Sequence, residues 1–119
     1  MNNKEFSKGL EKRTKQFAIG IIQLSASLSY NSETKVIKNQ VTRSGTSIGA
    51  NYREANRARS KAEFINKIKI CESEASETIY WLELIIEMNW IETEKINPII
   101  KESDELLAIF TSIGKKLKL

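Results

Sequence analysis

Apolar residues return every three or four positions through nearly the whole chain, and no stretch shows the strict alternation expected of a half-buried strand. The first run covers about residues 5–30, with Phe6, Leu10, Phe17, Ile21, Leu24 and Leu28 at three-, four- and seven-residue steps. It breaks at Tyr30-Asn31-Ser32. A second run over about residues 33–57 places Ile37, Val41, Ile48, Tyr52 and Ala55 on one helical face. Gly45 and Gly49 lie inside it. Each costs about 1 kcal/mol against alanine in a helix interior, so both are read as places where another helix packs closely.

The third run opens at Ser60-Lys61-Ala62-Glu63, the serine-to-glutamate spacing of a capping box, and continues to about Met88. Phe64, Ile68, Cys71, Ala75, Leu82 and Ile85 form its main stripe, and Ile65, Ile79 and Ile86 widen it. A further row of Ile70, Trp81, Leu84 and Met88 lies off that stripe. A helix apolar on more than one side is either central in its domain or buries its outer face against another subunit. The fourth run is expected to follow Asn97-Pro98, with asparagine as the cap and proline at the first helical position. Ile99, Leu106, Leu107, Ile109, Phe110, Ile113 and Leu117 supply its core face. It ends in Lys115, Lys116 and Lys118, cations well placed against the helix dipole. Short connections force neighbouring helices antiparallel. The pattern therefore predicts one all-α domain over residues 1–119, an antiparallel up-down-up-down four-helix bundle.

Composition removes many function classes. The chain has no histidine and a single cysteine, Cys71. That excludes Ser-His and Cys-His nucleophile pairs, histidine-bearing zinc sites and an intrachain disulfide. The five glycines are scattered and form no phosphate loop. No window is long and apolar enough for a membrane span, and no secretory signal is visible, so the expectation is a cytoplasmic protein that is not an enzyme and uses no cofactor.

The net charge of +4 conceals a segregation: residues 33–69 carry nine Lys/Arg and three Glu, whereas residues 70–105 carry two Lys and ten Asp/Glu. Around the second break, Arg53, Arg57, Arg59, Lys61 and Lys67 surround one tight turn. Lys12, Arg13 and Lys15 add cations on the first helix. Such a cluster can contact phosphates with salt-dependent, largely sequence-independent affinity; its alternative is a solvated helix face. Trp81, Trp90 and Tyr80 fall in the acidic half, so the linear sequence does not suggest base stacking.

A second constellation is a polar row on the second helix, Ser44, Ser47, Asn51 and Glu54, at steps of three, four and three that keep all four on one side. Arg43 flanks it, and Glu74 and Glu77 lie one turn apart on the third helix. Facing rows would form a buried or half-buried polar layer that fixes helix register. A metal reading is disfavoured, because di-iron bundles use a Glu-x-x-His pair from each of two helices and this chain has no histidine. Cys71, on the apolar stripe, reads as a small core residue.

These residues resemble those of the four-helix bundle proteins related to the 23S rRNA intervening-sequence protein, with the accessory protein of diversity-generating retroelements more distantly similar. The likeness rests on three spaced elements. Arg43, Ser44, Ser47, Ile48, Asn51 and Glu54 match an R-S-x-x-S-I-x-x-N-x-x-E row. Ser60, Lys61 and Phe64 match S-K-x-x-F. Glu74, Glu77, Thr78, Tyr80, Trp81 and Leu82 match E-x-x-E-T-x-Y-W-L. It spans about residues 5–118. Cys71-Glu72-Ser73 stands where many relatives have Ala-x-Lys, which adds acidity. The resemblance implies a ring-like homopentamer without established catalysis. The intervening sequence suggests an RNA connection, and the retroelement relative binds nucleic acid beside a reverse transcriptase. Two functions follow as expectations: an oligomer that binds RNA or DNA through basic patches, or a structural adaptor that docks a protein partner around Tyr80, Trp81 and Trp90.

Overall fold

Polar residues at the first two breaks between apolar runs cap the starts of the second and third helices. The computed structural model describes residues 3–117, in which four helices follow one another: α1 (Asn3–Ser27), α2 (Ser32–Asn56), α3 (Lys61–Glu87) and α4 (Thr93–Lys116). Asn31 caps α2 with a full reciprocal box: its side chain accepts from the amides of Glu33 and Thr34, and the Thr34 hydroxyl accepts from the Asn31 amide at 2.9 Å. At α3 only half of the expected box forms. Ser60 accepts from the Glu63 amide at 3.1 Å, but the Glu63 carboxylate accepts from the Arg59 amide, one residue before the cap.

The C-terminus of α3 closes through a device that the apolar periodicity does not reveal. Asn89 takes a left-handed conformation at φ 57°, the Asn89 amide donates to the Ile86 carbonyl and the Trp90 amide to that of Ile85. This is the Schellman pattern, and asparagine is the commonest alternative to glycine there. Helix α4 departs from expectation. It starts at Thr93 with Glu92 as an N-cap that makes no side-chain bond, so Asn97 is not the cap and Pro98 is the sixth helical residue. Burial explains the early start: Ile96 is fully buried in register with Ser103, Leu106 and Phe110, and the helix must already be formed there to hold it.

Each helix packs against its sequence neighbours, and α4 closes the circle against α1, leaving α1 and α3 across the diagonal. One core runs through all four, with Ile21, Ile48, Ile68, Leu82, Ile85, Leu106 and Phe110 fully buried. Tyr52 meets Phe110 edge to face, ring centroids 5.6 Å apart. Gly45 and Gly49 are the close-approach positions anticipated: a β-carbon on Gly45 would lie 2.9 Å from Ile21, and one on Gly49 would lie 3.0 Å from Thr14. Phe6 leaves the core stripe and stays 40% exposed at one end of the bundle. Cys71 is buried as expected, its thiol 3.5 Å from the Ile48 carbonyl, and burial pushes its pKa up to about 12.

Candidate nucleic-acid interface

Antiparallel wiring converts the charge blocks of the chain into two ends of the molecule. The start of α1, the end of α2, the start of α3 and the end of α4 meet at one end, as shown by a single cavity lined by Phe6, Asn56, Phe64 and Lys116. Arg57, Arg59, Lys61, Lys115 and Lys116 are exposed at this end, Lys12 and Lys15 are exposed further along α1 with Lys15 at its middle, and none of the seven makes an ion pair among the described residues. Lys118, the last cation expected at this end, lies outside the described residues. The other end gathers the close of α1, the opening of α2, the close of α3 and the opening of α4, where Glu33, Glu83, Glu87, Glu92 and Glu94 are exposed and outnumber the exposed Lys35 and Lys95.

The remaining cations of the expected cluster are engaged with carboxylates. Lys67 reaches Glu54 at 2.7 Å, and that bond raises the lysine pKa. Arg53 stands 3.9 Å from Glu11 and shares with Lys15 the rim of a shallow groove of about 290 Å³ between α1 and α2. Its floor is made of small residues, Ala18, Gly49 and Ala50. Arg13 is held from two sides, by Glu102 at 2.6 Å and Glu105 at 2.7 Å, and its pKa is raised chiefly by the hydrogen bond to Glu102. Arg13 therefore ties α1 to α4, and its guanidinium is already committed to protein partners.

The polar rows of α2 and α3 do face each other. Arg43 bridges Glu74 at 3.1 Å and Glu77, whose carboxylate also accepts from the Trp81 indole at 3.1 Å. The hydrogen bond to Glu77 is the main reason the Arg43 pKa is raised. Ser44 and Thr78 are fully buried, their hydroxyl oxygens 2.9 Å apart. Ser47 and Asn51 satisfy themselves within α2, on the carbonyls of Arg43 and Ser47 respectively. The layer is thus graded, with a dry Ser44–Thr78 pair inside and charged groups at the rim; Glu54 pairs with Lys67 one turn further on. Among the described residues, no three His, Cys, Asp or Glu side chains gather where they could hold a metal ion, and no helix is long and apolar enough to cross a membrane.

Sequence order concealed one component of the basic end. Phe6, Tyr52 and Phe64, distant along the chain, line the same cavity of about 380 Å³ with Asn56 and Lys116. Aromatic groups therefore do accompany the cations, although none lies within the linear cluster.

Fold and surface together define an all-α four-helix bundle protein with charge polarised along its axis. The chain belongs to the 23S rRNA-intervening sequence protein family, whose model matches residues 10–112. It is similar to the crystal structure of a protein with unknown function from the S23 ribosomal protein family of Bacteroides thetaiotaomicron. That protein is 43% identical, with a TM-score of 0.82 over 88% of this chain and 97% of the other. No curated protein matches the chain.

Proposed function

We propose that this protein is a non-enzymatic, cytoplasmic homo-oligomer, a pentameric ring, that binds RNA or DNA through the basic end of each bundle. The observation that carries this reading is the convergence on one end of cations without ion pairs among the described residues, from the start of α1 (Lys4, Lys8), the α2–α3 turn, the start of α3 and the end of α4, which a solvated helix face does not require. Arg57, Arg59 and Lys61 are the principal phosphate contacts, with Lys12 and Lys15, on the flank of α1, as further contacts for a strand that runs along the bundle. Family membership supports RNA as the partner, since the family is described by its place in a 23S rRNA intervening sequence. Repetition around a ring would multiply a modest patch into a strong positive surface.

Exposed apolar residues support assembly. Ile19 and Ile22 on α1 are 38% and 49% exposed, and Tyr80 and Met88 on α3 are 53% and 54% exposed. Because α1 and α3 lie across the diagonal, their outward faces point away from each other. A contact between the two faces of successive copies is heterologous and closes into a ring when its rotation permits.

The test is binding of labelled RNA and DNA across a salt series, with oligomer mass measured by light scattering on the same sample. Affinity should fall steeply with salt. The triple substitution R57E/R59E/K61E should weaken binding at least roughly tenfold without changing helicity or mass. Absence of binding at low salt from an intact oligomer overturns the proposal. That result would favour a structural adaptor for a protein partner, a reading supported by the exposed Tyr80 stacked edge-on to Trp81 at 5.0 Å. Trp90 contributes less to such a surface, because it is packed against the core.

A further inference from the structure

The cavity at the basic end is more than a gap between helix termini. Phe6 exposes 40% of its surface into this region, Phe64 is half-buried beside it, and Ile113 and Leu117 complete an apolar wall. Asn3, Ser7, Tyr52, Asn56 and Lys116 bring polar groups to that wall, and Tyr52 and Asn56 bear most on the choice of ligand. Tyr52 is only 2% exposed and lines the cavity, yet its hydroxyl has no hydrogen-bond partner among the described residues. No fully buried side-chain polar atom there lacks a partner, so the hydroxyl must keep contact with the cavity. Asn56 is fixed by donating its amide nitrogen to Glu11 at 2.8 Å, which leaves its side-chain oxygen without a donor among the described residues.

A tyrosine hydroxyl and an asparagine oxygen left open beside two phenylalanine rings call for a ligand that is flat, largely apolar and edged with hydrogen-bonding groups. The charge around the mouth narrows the choice. Lys116 lines the cavity itself, Arg57 directly follows Asn56, Lys61 lies one turn before Phe64, and Lys4 and Lys8 bracket Phe6. These cations come from several helices and suit a chain of successive phosphates better than the single head of a fatty acid. Bases in a duplex are stacked and paired inside, whereas unpaired bases offer both faces to aromatic side chains.

We infer that this cavity receives an unpaired nucleobase, stacked against Phe6 and Phe64 and read at its edge by Tyr52 and Asn56. The inference rests on the nucleic-acid reading above and specifies its ligand as single-stranded RNA or DNA. The cations hold the backbone at the mouth, and the pocket supplies the preference for single strands over duplex. Base–aromatic stacking is sequence-tolerant, so discrimination among the four bases is modest.

Fluorescence anisotropy on the full-length oligomer tests this with three probes of equal phosphate number: a single-stranded oligonucleotide, the same backbone carrying abasic sites, and a duplex. The base-bearing strand should bind roughly tenfold or more tightly than the abasic one, as a single stacking contact implies. Phe6→Ala should abolish that difference and leave abasic binding unchanged; Phe6 is exposed enough for the fold to survive. Tyr52→Phe, which keeps the ring and its packing on Phe110, should reduce the difference severalfold. Equal binding of base-bearing and abasic strands, or a preference that survives both substitutions, overturns the pocket while leaving the phosphate contacts standing. Loss of all binding at low salt overturns both. Saturable binding of dodecanoate that oligonucleotides fail to displace assigns the cavity to an amphipathic monoanion and also overturns the inference.

Discussion

A methyl group on Gly45 would stand 2.9 Å from both γ-carbons of Ile21, a branched side chain that is itself fully buried. On Gly49 it would meet the Thr14 side chain at 3.0 Å and the Thr14 backbone at 3.4 Å. Overpacking of this kind costs about 1–3 kcal/mol, which exceeds the ~1 kcal/mol of helix propensity that alanine returns. Gly45→Ala should therefore lower the denaturant midpoint, whereas Gly9→Ala, which meets nothing within 4 Å, should raise it by about 0.5–1 kcal/mol equivalent. Cys71 gives a second prediction at this scale. Burial raises its pKa from the ordinary 9.0 to about 12, so the folded state holds the thiol proton through a window in which the unfolded chain has released it. The stability this linkage favours is fully present below pH 9.0 and declines as pH rises toward about 12, with a slope of at most about 1.4 kcal/mol per pH unit. Cys71→Ala should flatten that part of the pH–stability profile, as urea titrations at several alkaline pH values would reveal.

Helix boundaries and pairings carry the next tests. Pro98 deprives α4 of the amide that would bond the Glu94 carbonyl, a defect tolerated because Ile96 and Leu106 anchor the helix on either side. Pro98→Ala should restore the bond and stabilise the fold by roughly 1–3 kcal/mol, read as a higher melting temperature. The α2–α3 pairing depends on the graded polar layer. Glu77 keeps 35% of its side chain exposed, and Arg43 keeps 48%, so water can replace much of what Glu77→Ala removes. The expected cost is about 1 kcal/mol. Thr78→Val should cost about 1–3 kcal/mol, because the fully buried Ser44 hydroxyl then keeps only its long 3.5 Å contact with the Val41 carbonyl. If thermal unfolding ranks these two the other way, the rim and not the buried pair fixes the register.

At the scale of the molecule, the bundle is 44 Å long and carries its charge as an axis. Basic segments that are far apart in sequence share one end because two of the helices run up and two run down. The assembly contacts proposed above lie on the lateral surface. Ile22→Lys, on the exposed α1 face, should shift the light-scattering mass toward the monomer while leaving helicity unchanged. Unaltered mass would place the subunit contact elsewhere. Because Arg57, Arg59 and Lys61 lie on the bundle end and the proposed assembly contacts on its sides, the Ile22→Lys monomer should keep the salt-dependent contacts of those three residues. It should lose only the avidity that comes from their repetition.

The four helices, the approximate bounds of the first three, most of the buried stripes and the close-packing role of Gly45 and Gly49 were legible in the sequence. Helical periodicity is a local property, and a glycine mid-helix is a local cost that demands a reason. The facing of Arg43 toward Glu74 and Glu77 could also be anticipated, because neighbouring antiparallel helices bring such rows together. Other features required the folded chain. Asn97-Pro98 looked like a helix start, but the burial of Ile96 outweighed the local capping preference. Arg13 looked like a free cation until α4 brought Glu102 and Glu105 against it. Phe6 looked like a core residue, yet the helix ends leave it beside Tyr52 and Phe64 in an open cavity among cations. In each case the deciding partner lies many residues away, so it was the packing of the helices, and not any spacing along one of them, that settled the outcome.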